Sequence, residues 1–234
     1  MRLNKLLQEL AITELKGSPC VAQGSFEIQH QYLPTVIVNI NKALEAFYSQ
    51  FALKESTVLV RVIPGIREYV IHSDYAQSTG DNGFPKYIMD SQVSPFEDDL
   101  LQILDVQMFY GGSIGYNNPN DPYSICPIGF NRILVPDATM YHNQILSVYY
   151  QAGHKEINPI EPDMNMEVEL PQAMNTAFQA YIASLVYHSL GGTKHEEANM
   201  YYGKYMAQLQ MLTNSGIGVK SFSGNIKPAL GDWK

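Results

Sequence analysis

NQILSVYYQAGHKEI (143–157), LPQAMNTAFQAYIASLVYHSLGG (170–192) and HEEANMYYGKYMAQLQMLTNSG (195–216) decide the fold class. The first segment is rich in β-branched and aromatic residues, which predicts a strand. The other two carry apolar residues at three- and four-residue steps. That spacing predicts two long amphipathic helices, about Pro171 to Leu190 and Lys194 to Thr213. Pro171 fits a first helical position, and Gly191–Gly192 breaks the run between the helices. Ala177, Ala180, Ala183 and Ser184 are small enough to let a neighbour approach closely. Nothing in the block has the spacing of an active site. A strand feeding two packing helices predicts a soluble α+β structural protein.

Outward from this block the chain divides into zones. MRLNKLLQELAITELKG (1–17) sets Leu3, Leu6, Leu7 and Leu10 on one stripe. An amphipathic helix ending at Gly17 as a C′ glycine is expected there. Gln and Glu interrupt the stripe and no small-residue cleavage site follows, so a signal peptide is not expected. A second stripe of Leu33, Ile37, Ile40, Leu44, Phe47 and Phe51 predicts a helix starting between Gln31 and Pro34, with the proline in its first turn. From 55 to 169 the pattern turns strand-like: STVLVRVIPG (56–65), REYVIHS (67–73), DDLLQILDVQMFYGG (98–112), FNRILVPD (130–137) and QILSVYYQAG (144–153). The long Gly-, Asn-, Asp- and Pro-rich stretches 74–98 and 113–129 lie between them. Antiparallel strands with long loops predict a sandwich- or barrel-like insertion.

The resulting organisation is a helical part of a bundle over 1–54, a β-rich insertion over 55–169, a helix pair over 170–213 completing the bundle, and an extended docking tail over 214–234. The tail contains Gly, Ser and Pro but also Ile217, Val219, Phe222, Ile226, Leu230 and the single Trp, Trp233. Disordered tails rarely carry so many apolar residues, so this one is expected to dock, on its own body or on a partner chain.

Composition narrows the function classes. Hydrophobic residues at 45% against 16% charged describe a folded chain. The 16 Tyr and the low charge also fit surface buried against partners, since interface cores are depleted in charge and enriched in Tyr and Met. A Tyr-rich monomer core would explain them equally. The net charge of −8 argues against the whole chain gripping phosphate backbones. No apolar run reaches 18 residues, so no membrane helix is expected. Cys20 and Cys126, without an export signal, are expected as free thiols.

Several groupings resemble chemistry without completing it. Gly111-Gly112-Ser113-Ile114-Gly115 follows a strand but opens no helix and has no Gly-Lys-Ser/Thr, so it reads as a hairpin turn. Asn118, Asn120 and Asp121 echo half a calcium loop that lacks its glycine and terminal Glu, and read as a turn. The six His (30, 72, 142, 154, 188 and 195) form no His-Glu-x-x-His pair, and no metal or cofactor is expected. Glu97-Asp98-Asp99 and the series Glu161, Asp163, Glu167 and Glu169 are flanked by polar residues and read as solvated faces. Glu167 and Glu169 alternate with Val168 and Leu170, so in an extended segment both carboxylates face outward.

Set in order, these segments resemble a known family. INKALEAFYSQFAL (40–53), VLVRVIPGIREYVIHSDYA (58–76), SPFEDDLLQILDV (94–106), QILSVYYQAGHKEI (144–157) and the Leu-Pro-initiated helix with its Tyr-paired successor are similar, over roughly Asn39 to Leu212, to the head-to-tail adaptor (connector) proteins of short-tailed bacteriophages. The resemblance implies a non-enzymatic virion protein at the head–tail junction, made in the host cytoplasm and needing no cofactor. It would form a ring of twelve subunits between the portal and the tail nozzle and fibre proteins, leaving a channel through which DNA passes without specific binding. It implies Phe222, Ile226, Leu230 and Trp233 as portal-interface residues, and Glu161, Asp163, Glu167 and Glu169 as channel lining, where like charge would keep DNA from sticking. Another phage tail or minor capsid component would share the α+β outline. A hydrolase using Asp98 or Glu161 is a further alternative without a legible nucleophile–base pair.

Overall fold

The computed structural model describes residues 1–111, 114–118, 120–136, 141 and 143–215. These form a mixed α+β structure with four α-helices and two three-stranded antiparallel sheets. The helices are α1 (Leu3–Ile12), α2 (Leu33–Gln50), α3 (Asn175–Leu190) and α4 (His195–Asn214). The strands are β1 (Glu55–Arg61), β2 (Glu68–Val70), β3 (Leu100–Met108), β4 (Cys126–Pro127), β5 (Arg132–Leu134) and β6 (Ile145–Ala152). One sheet has the order β1-β6-β3 and the other β2-β5-β4; neither closes into a barrel.

Buried side chains fall into two clusters. Leu3, Leu6, Ile37, Ile40, Phe47, Phe178, Ile182, Val186 and Tyr205 belong to one, contributed by the helices. Val60, Tyr69, Tyr87, Ile103, Ile133 and Val148 belong to the other, contributed by the strands and their loops. α3 is the middle helix: it packs on both α2 and α4 and buries Ala177, Ala180, Ala183 and Ser184 with its large residues. α4 commits one line to that contact, Ala198, Tyr205 and Leu212, spaced by seven as at a helix–helix seam. Tyr187 stacks on Tyr201 (5.4 Å) and Tyr181 on Tyr205 (4.5 Å), so α4 runs back along α3.

Two boundaries differ from expectation. α1 stops at Ile12 instead of running to Gly17: Thr13 N and its hydroxyl both donate to Glu9 O. Leu15 N then donates to Leu10 O, a wider turn that drives Leu15 into the core. Gly17 does adopt a positive φ of 83°, beyond the helix. Pro171 precedes a single 3-10 turn (Gln172–Met174), and α3 starts at Asn175. The Gly191–Gly192 break stands, both residues at positive φ (64° and 61°) that a side chain would disfavour. α2 starts at Leu33 with Pro34 in its first turn, as its stripe predicts.

The two clusters are stitched together. Gln151, at the end of the central strand β6 and 1% exposed, donates its side-chain amide to Tyr48 O and to Phe51 O (3.0 Å). Those carbonyls belong to the last turn of α2 and its C-cap, where helix oxygens lack intrahelical partners. Within the helical cluster, Asn41 on α2 also exchanges two bonds with the backbone of Ile157: its amide donates to Ile157 O (2.8 Å) and Ile157 N donates to its oxygen (3.0 Å).

Candidate interaction surfaces

The acidic linker between β6 and α3 lies against the N-terminus. Val168 N donates to Met1 O (2.6 Å), Leu3 N to Met166 O (2.9 Å) and Asn4 N to Met164 O (3.1 Å). Val168 is buried while Glu167 and Glu169 are exposed, which is the alternation the sequence predicts. Glu161 and Asp163 are exposed as well. Asp163 Oδ1 accepts from Asn165 N (2.9 Å) and so shapes its own turn. All four carboxylates thus share one solvent-facing linker that α1 holds in place.

In the cluster Glu97-Asp98-Asp99 the first two carboxylates are exposed, as their polar flanks imply, and Asp99 is not. Asp99 is half-buried; it pairs with Lys54 Nζ (3.3 Å) and accepts from the Tyr150 hydroxyl (2.9 Å). Asp98 sits at φ 55° and accepts from Ser73 N (2.6 Å), which fastens the 3-10 turn Ser73–Tyr75. Glu97 faces Lys155 at 3.5 Å. These partners lie 25 to 58 residues away in the chain. Nearby, Asp90 accepts from the Ser78 hydroxyl and amide and from Phe96 N (2.9 Å). Burial alone would raise its pKa, but these bonds to the charged form outweigh it and hold the carboxyl below its ordinary value. The arrangement fixes loops.

The remaining candidates resolve into structure. Asn118 and Asp121 form successive side-chain-capped turns: Asn120 N donates to Asn118 Oδ1 (3.1 Å) and Tyr123 N to Asp121 Oδ1 (2.9 Å). His188 and His195 meet edge-to-face across the Gly-Gly break at 5.6 Å. His154 packs on Tyr48, and burial lowers its pKa. Cys20 and Cys126 are free thiols; burial pushes that of Cys20 up despite a bond from the Ser18 side chain. Among the described residues, no group of three or more His, Cys, Asp or Glu could hold a metal, and no helix is long and apolar enough to cross a membrane. Part of the glycine-rich run (112–113), His142 and the four tail residues Phe222, Ile226, Leu230 and Trp233 lie outside the described residues.

What the sequence did not single out is the apolar surface of α4. Met200, Tyr202, Met206 and Met211 (65% exposed) are exposed among the described residues. At 3.6 residues per turn, Met200 and Met211 flank the buried line on one side, Tyr202 and Met206 on the other. Phe109, Tyr110, Tyr123, Ile128 and Phe130 are exposed at the opposite, strand-bearing part of the chain. A period-3.6 reading absorbs such residues into the core stripe, so only the packing of α4 on α3 reveals them as surplus.

Three buried tyrosines carry a pH signature. Tyr48, Tyr187 and Tyr205 are each pushed up to about 12, by burial first and then by neighbouring charges or phenols. Their hydroxyls ionise near 10 in an unfolded chain. Below pH 10 their contribution to stability is fully present; between about 10 and 12 the unfolded chain releases protons that the folded one keeps, so stability falls as pH rises. The denaturant midpoint should stay flat toward pH 10 and fall between about 10 and 12. A midpoint unchanged up to about pH 12 would contradict these burials.

No protein-family model matches the chain, and no curated protein matches it.

Proposed function

We propose that the chain is a structural virion protein, a head-to-tail adaptor that assembles as a ring between portal and tail and leaves a channel for DNA. The observation that carries this reading is the pair of uncovered apolar flanks on α4. A ring of identical chains needs two different contact surfaces on each subunit, one for each neighbour. Met and Tyr are the residues that interface cores favour. α4 offers such residues on both sides of its seam with α3, and all four are exposed among the described residues. In this reading the helices form a bundle that builds the ring wall, with twelve copies closing it. The β-rich residues 55–169 form a sandwich-like insertion facing the tail proteins. Glu161, Asp163, Glu167 and Glu169, held outward on one linker, line the channel, and Phe222, Ile226, Leu230 and Trp233 reach the portal.

The test is to image and weigh the protein alone and with its portal. Rings seated on the portal are expected. Met200→Asp/Met211→Asp on one flank, or Tyr202→Asp/Met206→Asp on the other, should each abolish rings while leaving helical content unchanged, since all four residues are exposed. Phe222→Ser/Trp233→Ser should weaken capture by the portal at least about tenfold, the size of a lost hot spot. Rings that persist in both flank variants would overturn the role of α4, and a chain that ignores the portal would overturn the adaptor reading.

A further inference from the structure

β1 is an edge strand, and half of its outer edge is open. In the β1–β6 ladder, Val62 N donates to Gln144 O and Ala152 N to Lys54 O, both at 2.9 Å. The even-numbered residues therefore turn their backbone groups toward β6, and the odd-numbered Glu55, Thr57, Leu59 and Arg61 turn theirs away. At the far end those groups are used: Arg61 N donates to Tyr87 O and Met89 N to Leu59 O, both at 2.8 Å. Toward the start of the strand they are not. The N–H groups of Glu55, Thr57 and Leu59 and the carbonyls of Glu55 and Thr57 have no backbone partner among the described residues. Exposed strand edges of this kind are templates for another strand. This one borders a groove of about 490 Å³ whose far wall is built by Val93, Pro95, Phe96 and Glu97. Val93 is 96% exposed, an apolar side chain with nothing over it. Three carboxylates, Asp90, Glu97 and Asp99, line the groove against one cation, Lys54.

We propose that this edge takes residues 219–223 (VKSFS) of the same molecule as an added strand. The match is one of main-chain length and side-chain chemistry: five residues meet the five of Glu55–Leu59. An extended VKSFS sets Lys220 and Phe222 on one face, the cation for the carboxylate-rich lining and the ring for Val93 and Phe96. The tether leaves from the same end of the helices. α4 runs antiparallel to α3 and ends beside the start of α3, where Phe178 meets Phe47 (5.3 Å) three residues before α2 ends. α2 leads through four residues into β1. The five steps from Asn214 to Val219 span up to about 17 Å when extended. Docked in this way, the strand would occupy Phe222 in the free chain and leave Ile226, Leu230 and Trp233 beyond it. The inference does not rest on ring assembly and is tested without it.

The experiment is hydrogen exchange on the full-length free protein and on its Lys220→Pro/Ser221→Pro variant, which cannot sustain a strand there. The amides of Thr57 and Leu59 should exchange at least about tenfold faster in the variant, because they lose their partners. A synthetic peptide spanning 216–224, added to the variant, should restore slow exchange, and a scrambled peptide should not. Equal exchange in both proteins overturns the proposal. Protection that disappears on hundredfold dilution, or that needs added portal, also overturns it, since a second copy or the portal would then be the occupant.

Discussion

Phe47→Ala should destabilise the chain by about 3–5 kcal/mol, the range for truncating a buried Phe. At roughly 2–4 °C per kcal/mol for a chain of this size, the loss is easily read as a fall in melting temperature. Phe47 is fully buried where three helices meet, edge-on to Phe178 (5.3 Å) and tilted against Tyr205 (6.0 Å) and Phe51 (5.7 Å). Removing the ring leaves a void that α2, α3 and α4 cannot all close, because α3 is already pinned between its neighbours. Phe47→Leu keeps most of the volume and should cost less than about 1.5 kcal/mol. A Phe47→Ala loss below about 1 kcal/mol, measured by denaturant unfolding, would mean that the three helices do not share this core.

Tyr87→Ala should be comparably severe, about 3–5 kcal/mol, although Tyr87 belongs to no helix or strand. Its ring stacks on Tyr75 (4.9 Å, 18° between planes) and meets Tyr69 edge-on (4.9 Å). Its hydroxyl accepts from Val70 N (2.8 Å) and donates to Val70 O (2.9 Å), and its own carbonyl accepts from Arg61 N. Tyr87 thus fastens the long 74–98 loop to β2 by its side chain and to β1 by its backbone carbonyl. Tyr87→Phe separates the contributions: it keeps the ring and leaves the Val70 groups unpaired, for about 1–3 kcal/mol. If Tyr87→Phe proved as harmful as Tyr87→Ala, the stacking would be contributing nothing.

What the sequence could show tracks how local each signal is. α2, α3, α4 and the Gly191–Gly192 break were legible because helix periodicity and glycine punctuation need only neighbouring residues. Five strand segments were legible from β-branched and aromatic runs. β4 was not: Cys126–Pro127 is a strand only because β5 lies beside it. The end of α1 was misplaced because Gly17 advertises a stop, while Leu15 reaches the core by a wider turn that the pattern does not encode. Among the acidic groups, outward Glu167 and Glu169 follow from alternation alone. Asp99 does not, since Lys54 and Tyr150 reach it from 45 and 51 residues away. The surplus apolar flanks of α4 and the open half of β1 are legible only once the partners of each element are known.

The Gln151 bridge makes the two halves of the chain answer for each other. Its amide closes the end of α2 from the middle strand of the β1-β6-β3 sheet, so separating helix from sheet would strip Tyr48 O of this buried donor and leave Phe51 O with Leu53 N alone. A pull on the strand-bearing half would pass through this joint to the axis of α2, and through Phe47 to the helices behind it.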